Sequence, residues 1–223
     1  MKLINSQMNF QIVTEEGYVN SLVIENRDFF RSAIQDIYEQ INGREGRFVL
    51  SENNKIMDFS KSTELITQFV PFEINSKKLI TKLYNNIKTA VMEPELYREM
   101  YEIKSNMCRY MDSIVNELDF YIKYNEDIDV TALLKVMDVR FEDEHDNLSD
   151  KIMEYIMNVE KLEGSKLHIL VNYRSYVNRR EVECFCKTMI KHNINILLID
   201  NIEYDKFNFE KRIIVDEQLC EIY

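Results

Sequence analysis

Glycine and proline are scarce in this sequence, four and two among 223 residues. That scarcity excludes long flexible linkers and a disordered tail. Internal repeats and low-complexity tracts are missing too. No apolar run approaches the roughly 20 residues that a membrane span requires, and the first 25 residues mix Asn, Gln and Glu into every apolar stretch, unlike a secretory leader. The four cysteines, at 108, 184, 186 and 220, form no C-x-x-C pair. With His145, His168 and His192 dispersed, zinc lacks its usual four ligands. These features predict a cytoplasmic chain with reduced thiols and no membrane partner.

Nucleotide chemistry is excluded on similar grounds. A phosphate loop needs G-x-x-x-x-G-K-[ST], because glycine lets backbone amides approach the phosphates and lysine neutralises them. Gly17, Gly43, Gly46 and Gly164 never form it. The strand LHILV ends in Asn172, a neutral side chain where magnesium would want a carboxylate. Asp200 follows INILLI, yet one Asp without a phosphate loop holds no nucleotide. Glu102-Ile-Lys104 has the spacing of a nuclease E-x-K but falls in a helical pattern. No catalytic residue is assigned, and the chain is expected not to be an enzyme.

Apolar residues make up 45% of the chain, enough to bury a core. In the first third, Met8 to Val13 and Tyr18 to Ile24 read as strands around a turn at Gly17. Asn26 caps a helix with Phe30, Ala33, Ile34, Ile37 and Ile41 on one face. Phe48 to Leu50 and Ile56 to Phe59 read as a hairpin turned at Asn53-Asn54, and Leu65 to Val70 as a further strand. In the last third, Leu148 to Val159 is helical, and the strands Leu167–Val171 and Ile194–Ile199 flank a helix opened by Asn178-x-x-Glu181. That βαβ order implies parallel pairing. Ile213 to Val215 reads as an edge strand. Between these thirds, Ile80, Leu83, Ile87 and Ala90, then Leu96, Met100, Ile103, Met107, Tyr110, Ile114 and Leu118, keep heptad-like spacing on both sides of Pro94. The expectation is an α/β head, residues 1–74 with 148–223, and an inserted all-helical coiled leg, residues 75–147.

Charge is segregated along the chain. The formal net charge is -11, which spread evenly would repel nucleic acid. From Lys77 to Arg109, however, seven basic residues face four acids. Lys77, Lys78, Lys82, Lys88, Lys104 and Arg109 read either as a phosphate-contacting surface without base readout or as a solvated helix face. Arg174, Arg179 and Arg180, placed after a parallel strand, read either as ligand-facing or as surface arginines. From Asp112 to Asp146 eleven acids face three bases. Glu117, Asp119, Glu126, Asp127, Asp129 and Glu142 read either as oxygen ligands for a structural calcium ion or as a plain acidic surface, although the loop lacks the glycine of an EF-hand.

Several segments in this order, STELITQFVPFEINSKKL (62–79), NELDFYIKYNEDID (116–129), LLKVMDVRFE (133–142) and SKLHILVN with the following helix and NINILLID (165–200), resemble the short accessory protein family of type II-A CRISPR–Cas adaptation over roughly residues 8 to 217. The resemblance implies a degenerate P-loop-like head, a calcium-stabilised homotetrameric ring around double-stranded DNA loaded from free ends, and no nucleotide. It also implies a role in spacer acquisition (antiviral defence) beside the integrase subunits and RNA-guided nuclease of the same system. The leg lysines would line the channel. The run Phe120-Tyr-Ile-Lys-Tyr124 interrupts the acidic stretch and departs from the family pattern, as do the arginines at 174, 179 and 180. The rival readings are a coiled-coil protein–protein adaptor and a metal-dependent nuclease.

Overall fold

The structure, a computed structural model, describes residues 1–223. The chain divides into two compact units, Met1–Glu73 with Glu144–Tyr223, and Ile74–Asp143. The first is mixed α/β. Its larger sheet is built from β3 (Val19–Ile24), β6 (Thr63–Ile66), β7 (Leu167–Val171), β8 (Ile196–Asp200), β9 (Glu210–Val215) and β10 (Glu221–Ile222), in the order β10-β9-β3-β8-β7-β6. All neighbours pair in parallel except β10, which runs antiparallel to β9. A second, antiparallel sheet has the order β2-β1-β4-β5, from β1 (Lys2–Asn5), β2 (Gln11–Val13), β4 (Phe48–Glu52) and β5 (Lys55–Ile56).

Strands buried on both faces are mostly apolar, and every residue of β3, β7 and β8 is buried. On one face of the larger sheet, Leu22, Ile24, Ile169, Val171, Leu197 and Ile199 join Ala33 and Ile37 of α1 (Arg27–Ile41) and Leu3, Ile12, Phe48 and Leu50 of the smaller sheet. On the other, Leu170, Ile196 and Leu198 meet Ile152, Ile156 and Val159 of α6 (Leu148–Glu163) and Val182, Phe185, Cys186 and Met189 of α7 (Arg179–Lys191). Each such side chain contributes roughly 1.5–3 kcal/mol by leaving water. The helix ends follow local chemistry. Asn26, Asn147 and Asn178 cap α1, α6 and α7, the last within a full capping box with Glu181. Gly164, at φ 68°, closes α6 in the left-handed conformation that glycine adopts without strain. Asn53 and Asn54 both take positive φ, the backbone that a tight two-residue hairpin demands.

The elements differ from expectation in five places. β1 has no counterpart among the expected strands, and β2 is shorter than the run Met8 to Val13. Phe59 opens a short helix, α2 (Phe59–Ser62), rather than ending a strand, and β6 begins at Thr63 and stops at Ile66. β9 is an interior strand between β3 and β10, not an edge.

The second unit is helical: α3 (Lys77–Ala90), α4 (Pro94–Glu117) and α5 (Val130–Val136). Pro94 opens α4, where its missing N–H costs nothing. The Asn75 side chain both donates to Phe141 O (3.0 Å) and accepts from Phe141 N (2.9 Å), fastening the two ends of the unit. The heptad stripe of α4 is not sealed by packing. No residue of α4 is buried, and Leu96, Ile103, Met107 and Tyr110 are 45%, 45%, 42% and 68% exposed.

Candidate nucleic-acid interface

The basic stretch resolves into two unlike helices. α3 carries Lys77, Lys78, Lys82 and Lys88 and no acidic residue, whereas α4 holds Arg98, Lys104 and Arg109 against five acids. Ser76 caps α3 by accepting from Leu79 N (3.3 Å). Lys77 and Lys78 then occupy the first turn, where the helix dipole is already positive and where acidic residues are the stabilising choice. The arrangement concentrates positive potential at some cost in helix stability. Lys77, Lys78 and Lys82 are exposed. Lys88 is half-buried and 3.6 Å from Asp129. On α4, Lys104 lies 2.9 Å from Asp127, and Arg109 bonds the Asn106 side chain. The lysines most exposed to solvent are therefore those of the first two turns of α3.

Arg174 does not belong to a surface cluster. It sits in a short 3₁₀ turn, Tyr173–Ser175, with its side chain 3% exposed. Its Nε is 3.2 Å from Asp200 Oδ2, and its Nη2 donates to Glu210 Oε1 at 2.9 Å. Glu210 Oε1 also accepts from Ser21 Oγ (2.5 Å) and from Arg212 Nε (3.0 Å) and Nη2 (2.8 Å). Burial works against the Glu210 carboxylate, yet Arg174, Ser21 and Arg212 together hold its pKa below the ordinary value. Asp200 has only the Arg174 contact and no well-aligned hydrogen bond, so burial pushes its pKa up to about 6. A guanidinium this enclosed is neutralised from within and cannot meet a phosphate without leaving Asp200 unpaired and Glu210 to Arg212 and Ser21. Arg179, by contrast, is exposed; it lies 3.3 Å from Asp205 and 4.5 Å from the centre of the Phe207 ring. Arg180 is exposed beside it. Glu210 and Arg212 escaped the sequence reading because two charges in a strand signal an edge, and only the fold shows that Glu210 joins Arg174 to Arg212 in one buried network.

The step from β3 to α1 consists of Glu25 and Asn26 alone. Asn26 is spent on capping, accepting from Phe29 N (2.9 Å) and donating to Glu217 O (2.8 Å). A phosphate cradle needs several consecutive free amides, and two residues do not provide them. After β7, Asn172 adopts positive φ and accepts from Asn201 N at 3.0 Å, a structural bridge between neighbouring strand ends.

The acidic residues do not converge. No three or more His, Cys, Asp or Glu side chains gather closely enough to hold a metal ion. Asp127 is taken by Lys104. Asp129 is the N-cap residue of α5; against some desolvation, the Thr131 hydroxyl and Lys88 keep its pKa below the ordinary value. The expected set Glu117, Asp119, Glu126, Asp127, Asp129 and Glu142 does not fit a calcium ion within this chain.

No helix is long and apolar enough to cross a membrane. Among solved structures, a putative ABC transporter (ATP-binding protein) from Pyrococcus furiosus superposes with a TM-score of 0.42 at 10% identity, covering 95% of this chain and 97% of the other, too loose a likeness to carry an argument. The CRISPR-associated protein Csn2 of Streptococcus agalactiae is 23% identical over 206 residues, 87% of this chain and 88% of its own. The family model described as CRISPR-associated protein (Cas_Csn2) matches residues 40–219. The chain therefore belongs to the Cas_Csn2 family of CRISPR-associated proteins, the type II-A family that its segments resemble.

Proposed function

We propose that this chain is a non-catalytic, sequence-independent double-stranded DNA binding protein that acts at DNA ends during CRISPR spacer acquisition, as a homotetrameric ring. The observation that carries the reading is α3, a helix with four lysines, no acid, and an exposed first turn on a chain of net charge -11. Ammonium groups without a base-reading partner favour phosphates and position a duplex without reading it. The acidic remainder repels DNA and leaves one helix to receive it. The exposed stripe of α4 gives copies an apolar seam through which to associate. Integrase subunits and the RNA-guided nuclease of the same system are the partners that membership of the family suggests.

A gel-shift series tests this. Linear duplex is expected to be retained and closed circular duplex of the same sequence is not; equal retention of both would defeat end loading, and no retention of either would defeat DNA binding. Replacing Lys77, Lys78 and Lys82 by Gln is expected to flatten the salt dependence of linear-DNA binding, by about 0.9 in logarithmic slope for each phosphate left without its ammonium. The α4 stripe by itself also suits a protein–protein adaptor, which predicts self-association without any shift of DNA.

A further inference from the structure

After α4 the chain turns back and lies along one face of that helix in a defined register. Tyr124 Oη donates to Asp112 Oδ1 (2.5 Å) and to Cys108 O (3.2 Å). Cys108 Sγ lies 3.7 Å from Glu126 O. Lys104 Nζ is 2.9 Å from Asp127 Oδ1. Positions 112, 108 and 104 are successive turns of one helix face, so each forward step of the returning segment is met one turn further back on α4. The next acid, Asp129, then reaches Lys88 of α3 at 3.6 Å, just before α5 begins. Glu126, Asp127 and Asp129 are close in sequence and repel one another unless something positive stands among them. A hard divalent cation would want roughly six to eight oxygens, and the Asp127 and Asp129 carboxylates are drawn apart instead, one to α4 and one to α3.

We propose that the protein's own ammonium groups neutralise and pin this acidic return segment, Lys104 on Asp127 and Lys88 on Asp129, so that the helical unit holds its fold without calcium. Lys104 is well placed for this: its side chain is only 29% exposed, so its methylene stem lies against the helix while its head meets the carboxylate. The inference does not rest on the DNA-binding reading.

The test is thermal unfolding of the full chain, followed by circular dichroism, in millimolar calcium chloride and in EGTA, with calorimetric titration of calcium. The melting temperature is expected to agree within about 1 °C between the two, with no saturable calcium heat; a rise of more than about 3 °C with calcium, or stoichiometric binding, overturns the proposal. In a Lys88→Met, Lys104→Met variant the melting temperature in EGTA is expected to fall and calcium to restore part of it, because two carboxylates have lost their counter-charges. A variant that melts like the parent would show that the lysines pin nothing. Should the double variant fail to fold, Lys104→Arg keeps the charge and is expected to melt like the parent and ignore calcium; a calcium requirement there would refute the assignment. Loss of the linear-DNA shift in a protein whose melting ignores calcium would sink the proposed function and leave this inference standing.

Discussion

Two buried residues set opposite acid responses in the α/β unit. His168, in the middle of β7, is fully buried, and no well-formed hydrogen bond reaches either ring nitrogen. Burial lowers its pKa to about 4, against a weak opposing effect of the Ser165 backbone. A histidine depressed in the folded state contributes stability that is whole above the unfolded value of 6.5 and is lost as pH falls towards 4. Across that window the loss amounts to about 3 kcal/mol. Asp200 runs the other way: with its pKa raised to about 6, its ionised form strains the fold at neutral pH and is relieved as pH falls. The two nearly offset one another. His168→Leu is therefore expected to become more stable than the parent by about 3 kcal/mol more at pH 4 than at pH 7, read from urea midpoints; parallel profiles would remove His168 as the source. Arg174→Met is expected to cost about 3–5 kcal/mol at neutral pH, because Asp200 and Glu210 lose the guanidinium that both face. Isothermal urea unfolding measures it, and a loss under about 1 kcal/mol would mean that Arg212 alone suffices. The sequence reading left Arg174 as either a ligand-facing or a surface arginine, and the fold buries it. Residue type tells the charge, but only the tertiary partner tells its protonation.

At the scale of elements, α4 is a long helix with an apolar stripe and no buried residue. Its mean packing in a single chain is too slight to explain seven apolar residues at heptad spacing. Ile103→Glu with Met107→Glu is expected to leave the monomer's melting temperature almost unchanged while abolishing higher assemblies in mass photometry. Loss of the monomer fold would instead place the stripe inside one chain. Much at this scale was legible. The spacing of Phe30, Ala33, Ile37 and Ile41 found α1, Asn178 with Glu181 found the start of α7, and the near-continuous apolar runs found β7 and β8, because buried parallel strands admit few polar residues. β9 was misread as an edge because Glu210 and Arg212 lie within it, and a strand of six residues with three charges looks solvated until their buried partners are known. β1 was missed because four residues, two of them polar, carry too little alternation to register. The basic residues of 77–109 were found in sequence as one patch, and the fold splits them: no count of charges reveals that Lys88 and Lys104 are answered by acids some 40 and 20 residues further on.

For the whole molecule, the charge is lopsided along the chain: a net charge of -11, with four lysines and no acid on α3. Such a distribution turns a polyanion in a single direction before contact and weakens steeply with salt. The nucleotide question belongs to this scale as well. Adding ATP with magnesium is expected to shift neither the melting temperature nor the retention of linear DNA; a stabilisation of more than about 3 °C would reveal a triphosphate site. The strand-to-helix step of Glu25 and Asn26 leaves such a ligand no seat. A ring of the proposed kind would have no fuel line. On the proposed function, whatever distance it covers along a duplex is a thermal random walk, as ready to retreat as to advance, and only an obstacle or a partner can give that wandering a direction.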